Sequence, residues 1–535
     1  MSDRRTICKA VARAALAAAL KDLPEARDYG GASWTIRQAE GDTSALVEAG
    51  LERLPGVDAT LAAIGKAAFD GAASPELEAL EADLPLGLFE IGQLKGLGAK
   101  KVKALWEELS ITTVGELEYA AKENRLTDLK GFGAKTQQKV LEQIALKNAR
   151  ARILRRDEAK ELARHWAAEA ALAGLRIEAV GDYRRGAELA DPLELLLGPA
   201  GENARALGAR IRGAHPALVV HEAAEDWGAA LVRHTGSPAH VAALETHGKD
   251  HSPPLAGETE GEVYARLGLA FTPPERREAH VPLVAIGKAV PRLIRREDLR
   301  GALHNHTTAS DGTASLADMR AAAEARGLTY LAITEHSKTA AYARGLSPEA
   351  LREQRETIAV MNAASPSCVL LSGVESDILR DGELDYDDEL LATLDVVIAS
   401  VHQRYRQDGE TMTGRMCRAA RHAHAALIGH PTGRLLLSRE PTGVDMRALL
   451  EACREGGTAI ELNANPQRLD LSAEHAAMAR EHGVLVSIGA DAHSVAGLDN
   501  LEHGVAIARR AGLRPEDVLN TRSVDELRAI LNPAD

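Results

Sequence analysis

Aromatic residues are scarce in this sequence, since phenylalanine, tyrosine and tryptophan together make up 3% of its 535 residues. The apolar residues are mostly alanine, leucine and valine, so base stacking on aromatic side chains is not expected to be the main mode of ligand binding. Four cysteines lie far apart without a C-x-x-C pair. This excludes a disulfide framework and a cysteine zinc finger, and it favours a reducing cytoplasm.

Long hydrophobic runs are also missing. No stretch of about 18 apolar residues occurs, and the N-terminal MSDRRTICKA is not followed by the apolar region of a signal peptide. We therefore expect no membrane span and no export. A composition with 45% hydrophobic and 27% charged residues is typical of globular proteins, and the length predicts several domains.

The net charge of −14 by itself argues against a nucleic-acid partner. The charge is segregated, however, because residues 91–156 contain 14 Lys and Arg against 7 Asp and Glu. The same region repeats the pattern Leu-Lys-Gly-x-Gly-Ala-Lys at Leu94 and at Leu129, each time before a helical pattern. A looser third copy at Leu54-Pro55-Gly56-Val57 lacks the second glycine.

Gly-x-Gly before a helix exposes backbone N–H groups that can hold a phosphate. Two such turns predict helix-hairpin-helix motifs that grip a DNA backbone without reading bases. The alternative is two ordinary helical turns with glycine caps. The predicted DNA-binding residues are Gly96, Gly98, Lys100, Gly131, Gly133 and Lys135.

After Arg300, apolar strands alternate with helices, and nearly every strand ends in a potential metal ligand. Seven such units predict a distorted (β/α)7 barrel of the TIM kind, whose carboxyl-end rim gathers residues from successive strands. The predicted ligands are His304, His306, Asp311, His336, Glu375, His402, His430, Asp491 and His493.

Imidazole and carboxylate groups without thiolate suit Zn²⁺, Mn²⁺ or Fe²⁺. Because one ion uses three or four ligands, nine ligands predict two or three ions, with Glu375 as the expected bridge. Such a cluster is typical of phosphoesterases and nucleases. Alone, each histidine has the simpler interpretation of a buried core residue. We expect His304, His306, Glu375, Asp491 and His493 to be catalytic.

These motifs, among them His304-x-His306, Glu335-His336-Ser, Gly-His430-Pro-Thr-Gly-Arg434 and Asp491-Ala-His493-Ser, resemble the PHP (polymerase and histidinol phosphatase) domain. Upstream, the paired hairpins, Gly181-Asp-Tyr-Arg-Arg-Gly186 and His234-Thr-Gly-Ser237 look like a family X DNA polymerase. Together the two halves resemble a bacterial family X DNA polymerase over the whole chain.

The resemblance implies a multidomain α+β and α/β protein with a nucleotidyltransferase-like palm and thumb and a PHP barrel. The expected domains are an N-terminal helical domain (1–80), fingers (81–154), palm (155–235), thumb (236–290) and PHP domain (291–535). It also implies a 3′ to 5′ exonuclease that uses manganese or zinc in DNA repair, including base excision repair.

The polymerase site departs from the family pattern. Two-metal nucleotidyl transfer needs about three converging carboxylates. Counted from the Arg-Arg-Gly motif, the family's Asp-x-Asp falls on Pro192 and Glu194, and the third aspartate on Leu218. Asp191 is a substitute only if the strand carries a bulge. The family's nucleotide-binding positions correspond to Gly181, Arg184, Thr235 and Gly236, where Asp182 now adds negative charge.

The PHP half has two small departures, Ala302 and Glu335, at positions where the family often has aspartate. Neither removes a predicted ligand, although Glu335 bears on which metal is preferred. Arg404 and Arg434 follow ligand strands closely and are predicted phosphate clamps, with solvent-exposed arginines as the alternative.

The leading hypothesis is a cytoplasmic, monomeric DNA-repair enzyme that binds gapped, nicked or primer-ended DNA and hydrolyses its 3′-terminal phosphodiester. Templated synthesis, with dNTPs and with Mg²⁺ or Mn²⁺ in the palm, is doubtful. The alternatives are a histidinol-phosphatase-like phosphomonoesterase and a noncatalytic DNA-end scaffold.

Overall fold

The protein is described from a computed structural model that covers residues 2–39, 43–122, 126, 129, 131–150, 153–223, 226–250, 255–363, 367–405, 407–437 and 439–531. The chain divides into two compact units, Met1–Arg150 and Ala151–Asp535. Among the helices of these ranges, none has the length and apolar character needed to cross a membrane.

The first unit is helical in its described part. Alanine, isoleucine and valine recur at helical spacing in its first helix, where Ile7, Val11, Ala14 and Ala18 are buried and form one apolar stripe. That stripe packs in a core with residues of the second and fourth helices. The helices are α1 (Ser2–Leu20), α2 (Ala26–Gln38), α3 (Thr43–Ala49), α4 (Ala59–Phe69), α5 (Pro75–Glu81), α6 (Gly87–Gly92), α7 (Ala99–Leu109), α8 (Val114–Lys122) and α9 (Ala134–Arg150).

The second unit begins with a small mixed sheet. Its central strand β4 pairs antiparallel with β2 and parallel with β5, while β1 pairs antiparallel with β3. The elements are β1 (Leu154–Arg155), α10 (Arg156–Leu172), β2 (Arg176–Val180), α11 (Gly181–Arg184), β3 (Leu189–Ala190), β4 (Leu193–Gly198), α12 (Glu202–Ala214), β5 (Leu218–Glu222), α13 (Trp227–Thr235), α14 (Pro238–His247) and α15 (Glu260–Arg266).

A seven-stranded parallel sheet forms the rest of the unit. Its strands follow one another in chain order, and every residue of the second and fourth is buried, as expected when helices cover a parallel sheet. The strands are β6 (Gly301–Ala302), β7 (Tyr330–His336), β8 (Val369–Asp377), β9 (Val396–Ser400), β10 (Leu427–Ile428), β11 (Ala459–Asn463) and β12 (Val486–Gly489).

The helices between these strands begin at side-chain caps, because a serine or aspartate accepts a hydrogen bond from the first-turn backbone. Caps of this kind are Ser315, Ser347, Asp387, Asp408, Asp445 and Ser472. The helices are α16 (Leu316–Ala325), α17 (Pro348–Asn362), α18 (Asp388–Leu391), α19 (Gly409–Ala420), α20 (Met446–Gly456), α21 (Ala473–Glu481), α22 (Leu501–Ala511) and α23 (Val524–Leu531).

The first and last barrel strands are joined at two levels. Asn305 and Ala492 form a parallel bridge just beyond the strand ends. Below it, the buried Asn520 side chain donates to the carbonyls of Gly301 and Ile488 and accepts from the backbone N–H of Ile488. The predicted seven-stranded parallel barrel within a multidomain α+β chain is therefore confirmed.

Helix α22 belongs to the barrel and also contacts α10, the turn after α11 and the segment that contains Glu275 and Glu278. Its Ile507 and Ala508 lie in the barrel core. On its other side, Glu502 pairs with Lys160 and Arg510 pairs with Glu278. The polymerase-like part and the barrel thus contact different sides of α22.

Candidate functional site

The nine predicted ligands meet at the carboxyl ends of the barrel strands. Their chain positions differ, but parallel strands bring these ends to one rim. His304 and His306 follow β6, His336 ends β7, Glu375 lies near the end of β8, His402 follows β9, His430 follows β10, and Asp491 and His493 follow β12. Asp311 comes from the loop before α16.

Eight of these nine side chains form three overlapping groups, and within each group the ligand atoms lie within 4.8 Å of one another, while His430 joins through Glu375. Shared members join the groups into one cluster. The groups are His306, Asp311, His336 and His493; His304, His306 and Asp491; and His336, Glu375 and His402.

Glu375 lies at the centre of the cluster. Its Oε1 is 2.9 Å from His430 Nε2 and 3.1 Å from His402 Nε2, while its Oε2 is 3.0 Å from His336 Nδ1. His304 Nε2 lies 3.4 Å from Oε1. A carboxylate that faces four imidazoles with both oxygens has the geometry of a bridging ligand.

The cluster opens at one end. The side chains of Asp311 and His493 are 29% and 33% exposed and lie 3.3 Å apart, whereas His304, His306 and Glu375 are almost completely buried. The mouth of the site is therefore on the Asp311 and His493 side.

Two buried carboxylates orient histidines of the cluster by accepting hydrogen bonds from their Nδ1 atoms. His304 Nδ1 donates to Glu461 Oε1 at 2.7 Å, and His402 Nδ1 donates to Asp377 Oδ1 at 2.5 Å. A carboxylate acceptor fixes the proton on Nδ1 and leaves Nε2 as the lone pair that faces the cluster.

Glu335 holds the loop that carries Asp311. Its carboxylate accepts from the backbone N–H and hydroxyl of Thr307, from the hydroxyl of Ser310 and from Gln354 Nε2. The longer acid at this position thus acts on the loop between His306 and Asp311.

The charges of the cluster ionise its carboxylates and divide its histidines, because the facing carboxylates outweigh burial and raise the pKa of His336 to about 10 and that of His493 to about 9. Burial opposes ionisation of Glu375, but the facing His402, His304 and His336 outweigh it and hold the pKa of the carboxyl well below its usual range. Burial, together with the charges of His493 and His336, lowers the pKa of His306 to about 3. An ionised carboxylate and a neutral imidazole are the forms that ligate divalent ions.

Unused buried nitrogens show that the residues fit such ions. His304 Nε2 and both ring nitrogens of His306 are buried without a hydrogen-bond partner among the described residues. Such a loss is costly unless another partner is bound. The nitrogen and oxygen ligands of the cluster, which include three carboxylates, suit divalent cations.

Two turns in the helical unit have the geometry predicted for the hairpins. Gly96 and Gly131 have φ of +93° and +90°, in the left-handed region that favours glycine. Leu97 N–H donates to Leu94 O and Phe132 N–H donates to Leu129 O, so the two turns are closed alike. Lys100 and Lys135 are exposed beside Gly98 and Gly133, while Lys130 of the repeat lies outside the described residues.

The third, looser copy has the same turn but a different helix start. Gly56 has φ +77° and Val57 N–H donates to Leu54 O. Asp58 stands in place of the second glycine, and its carboxylate accepts from Leu61 N–H and from the Tyr29 hydroxyl. Since this carboxylate already occupies the first turn of α4, the third copy lacks the open anion-binding end of the other two.

Comparisons with known proteins agree with both halves. A family model described as PHP domain matches residues 302–465, and one described as SAM-like helix-hairpin-helix tandem matches residues 90–145. DNA polymerase/3′-5′ exonuclease PolX of Bacillus subtilis (strain 168) is 32% identical over 524 residues, which cover 89% of this chain and 91% of that protein. The chain belongs to the PolX family.

Other similar proteins cover a smaller part of the chain. The probable phosphatase TTE1963 of Caldanaerobacter subterraneus subsp. tengcongensis is 30% identical over 30% of this chain and 65% of its own length. The probable phosphatase YcdX of Escherichia coli (strain K12) is 27% identical over 41% of this chain and 88% of its own length. The zinc-containing histidinol phosphate phosphatase structure from Lactococcus lactis aligns with TM-score 0.32 and 17% identity over 40% of this chain and 94% of that one.

In the polymerase-like part of this PolX family member, Glu194 has an imidazole partner. His221 Nε2 lies 2.6 Å from Glu194 Oε2, across the parallel β4 and β5 pair. Leu218, where counting along the sequence puts the third aspartate, packs in the apolar core with Leu193. Side chains alternate along a strand, so the β5 residue that reaches Glu194 is His221 rather than Leu218. Asp191 is exposed at the start of this segment.

The predicted nucleotide-binding residues also bind one another. Arg184 forms a two-pronged pair with Glu260 and donates to the Thr235 hydroxyl. A Cβ at Gly181, where φ is +63°, would lie 2.3 Å from Glu194 Oε1, so the Glu194 carboxylate fills the space beside this glycine. Gly236 follows Thr235 at the end of α13. Asp182 pairs with Arg185.

The two predicted phosphate clamps differ in their surroundings. Arg404 is exposed, on a backbone with φ +63°. Arg434 is mostly buried and donates to the carbonyls of Arg468 and Leu469, and it also pairs with Glu188 at 2.9 Å. Its donors are directed at the protein, which indicates a structural contact at this position.

Sequence reasoning assigned no role to several residues around the two sites. Glu461 and Asp377 were detectable in principle, because each lies on a barrel strand near its carboxyl end. His221 was detectable from strand alternation opposite Glu194. Arg468 lies in an irregular segment after β11, where no periodic pattern marks it.

Proposed function

We propose that this chain is a 3′ to 5′ exodeoxyribonuclease of DNA repair that acts through its barrel cluster. The observation that carries the proposal is the union of three ligand groups through their shared members His306 and His336, because such clusters clamp a phosphodiester for hydrolysis. In the reaction, a water oxygen bonds to phosphorus and the P–O3′ bond breaks. The shortened strand keeps a 3′-hydroxyl and the released nucleotide carries a 5′-phosphate.

Divalent ions bound to the cluster would lower the pKa of water and neutralise charge on phosphoryl oxygens. The residues His304, His306, Asp311, His336, Glu375, His402, His430, Asp491 and His493 would hold them. We propose two or three ions, manganese or zinc, with iron as a third option. Glu461 and Asp377 keep two imidazoles oriented, and Asp311 and His493 lie at the mouth where the strand end enters.

DNA is the proposed partner, held through its backbone by the two glycine turns and their lysines. Gapped, nicked or primer-ended duplexes fit an enzyme that works on 3′ ends. We propose the domain limits 80, 154, 235 and 290, a monomer, and the cytoplasm as its location.

We further propose that the polymerase-like part grips DNA and does not synthesise it. Glu194 is engaged by His221, Asp182 by Arg185, and Arg184 by Glu260. Three carboxylates free to converge on two ions are needed for nucleotidyl transfer, and dNTPs are therefore not expected as substrates.

A gel time course tests the proposal. A recessed-primer DNA with a 5′-labelled primer is incubated with Mn²⁺ and all four dNTPs. We expect the primer to shorten with wild type and with Glu194→Ala, and to persist with His304→Gln. The assignment of both sites would be refuted if the primer lengthened with wild type and with His304→Gln but not with Glu194→Ala.

A small ester separates the phosphomonoesterase alternative. Histidinol phosphate and p-nitrophenyl phosphate are offered under the same conditions. Fast turnover of either ester with no change in the DNA would favour a phosphatase, and salt-dependent DNA binding without turnover in Mn²⁺, Zn²⁺ or Fe²⁺ would favour a scaffold.

A further inference from the structure

One arginine beside the metal-ligand cluster pairs with Asp491 but leaves its Nη1 without a hydrogen-bond partner among the described residues. Arg468 lies in the segment between β11 and α21, and its Nε is 3.5 Å from Asp491 Oδ2. The unpartnered Nη1 is buried. A buried charged donor left unused in this way is costly, unless a bound group completes its hydrogen bonds.

Neighbouring arginines are satisfied by the protein. Arg434 donates to two backbone carbonyls. Arg415, which is also buried, donates to the carbonyls of Leu379 and Gln403 and to the Gln407 side chain. Arg468 therefore differs from them in leaving its Nη1 without a partner among the described residues.

Arg434 and a tight turn hold Arg468 in place. The carbonyl of Arg468 accepts from Arg434 Nε at 3.0 Å, and its N–H donates to Asn465 O at 2.7 Å. The next residue, Leu469, has φ +43° and is fully buried. The backbone on both sides of Arg468 is thus fixed by hydrogen bonds.

Arg468 lies next to the cluster, with the Asp491 carboxylate between its guanidinium and two ligand histidines. Asp491 Oδ1 faces the cluster, 3.7 Å from His304 Nε2 and 3.5 Å from His306 Nε2. Its Oδ2 faces Arg468 and accepts from Asn463 Nδ2. The Arg468 side chain is 17% exposed, so it is not sealed from solvent. The guanidinium therefore borders the cluster on its Asp491 side, within reach of solvent.

We propose that Arg468 binds a non-bridging oxygen of the scissile phosphate and stabilises the charge that develops there during hydrolysis. This inference rests on the proposed nuclease function. A guanidinium presents a planar fork of donors that matches two phosphate oxygens, and an ammonium does not. The competing explanation is that Arg468 only neutralises Asp491.

The experiment compares Arg468→Gln and Arg468→Lys with wild type. Arg421→Gln is the matched control, since Arg421 is an exposed arginine paired with Glu455 at the end of α19. Three quantities are measured on the full chain: manganese bound per chain, the Kd of inorganic phosphate for the manganese-loaded protein, and kcat/KM for shortening of end-labelled DNA.

We expect Arg468→Gln to retain wild-type manganese, to bind phosphate at least tenfold more weakly, and to lose on the order of 100-fold to 1000-fold in kcat/KM, as when one positioned donor of a transition-state site is removed. Arg468→Lys should recover less than a tenth of that loss. Guanidinium chloride added to Arg468→Ala should restore part of the rate, which a misfolded variant would not show.

Two outcomes would overturn the inference. One is phosphate affinity and kcat/KM within twofold of wild type in Arg468→Gln. The other is loss of manganese in parallel with activity, which would assign Arg468 to charge balance at Asp491. If the wild type leaves DNA intact, the proposed function fails by itself, and the phosphate Kd still decides the role of Arg468.

Discussion

Replacing Glu461 by glutamine isolates the carboxylate that orients His304. Glu461 is fully buried, and both of its carboxylate oxygens accept hydrogen bonds. Oε1 accepts from His304 Nδ1 at 2.7 Å, and Oε2 accepts from His430 N–H at 2.7 Å and from Asn463 Nδ2 at 3.2 Å. Glutamine has the same shape but replaces one acceptor with an NH₂ donor.

Either orientation of the glutamine amide is unfavourable. With NH₂ toward His304, Nδ1 must accept, so the ring proton moves to Nε2 and removes the lone pair that faces the cluster. With NH₂ toward His430 N–H and Asn463, donor meets donor. Removing such an orienting partner typically weakens metal binding 10-fold to 100-fold, which corresponds to about 1.4 to 2.7 kcal/mol.

Metal-free Glu461→Gln is titrated with Mn²⁺ and free Mn²⁺ is followed by electron paramagnetic resonance. The matched control is Glu451→Gln, since Glu451 is an exposed residue of α20 paired with Arg454. We expect the control to bind like wild type and Glu461→Gln to bind 10-fold to 100-fold more weakly at its tightest site. Binding by Glu461→Gln within twofold of wild type would refute the orienting role.

Three further predictions concern other parts of the chain. Asp377→Ala removes the acceptor of His402 Nδ1, so Mn²⁺ binding should weaken to a similar degree in the same titration, and unchanged binding would contradict this. Gly131→Ala places a side chain at φ +90°, at a cost of roughly 1 kcal/mol, and should weaken DNA binding about fivefold as measured by fluorescence anisotropy. The control Gly213→Ala, in open space on α12, should leave the Kd for DNA unchanged. Equal Kd values for the two variants would refute a role of the Gly131 turn in DNA binding. Burial and the charge of Arg156 lower the pKa of His503 to about 4, so the folded protein keeps this ring neutral while the unfolded chain protonates it below about pH 6.5. The free energy of unfolding should therefore decrease as the pH is lowered, by roughly 2.5 kcal/mol at pH 4.5. Urea unfolding of His503→Gln should show a smaller decrease between pH 7 and 4.5 than wild type, and an identical decrease would refute the prediction.

The barrel and its cluster were predictable because parallel strands obey a strict geometric rule. Ligands as far apart in the chain as His304 and His493 were expected together solely because each follows a strand, and the structure brings them within one rim. The hairpin turns were equally accessible, since Gly96 and Gly131 occur in a repeated pattern before helices.

What the sequence did not reveal depends on register and on irregular backbone. The count to Leu218 preserved distance along the chain, but the side chain that meets Glu194 is decided by which face of β5 it occupies, and that residue is His221. Arg434 and Arg468 carry the same charge, yet their roles follow from which carbonyls lie within reach. No periodic pattern encodes that information.

Helix α22 connects the polymerase-like part of the chain to the barrel. Its Glu502 and Arg510 pair with Lys160 and Glu278, and a Cβ at Gly186 would lie 2.6 Å from Ala506 O. Deleting residues 155–290 would expose one side of α22 and remove the partners of Glu502 and Arg510. The fold around Glu194 is therefore needed to cover α22, independently of any chemistry at its carboxylates.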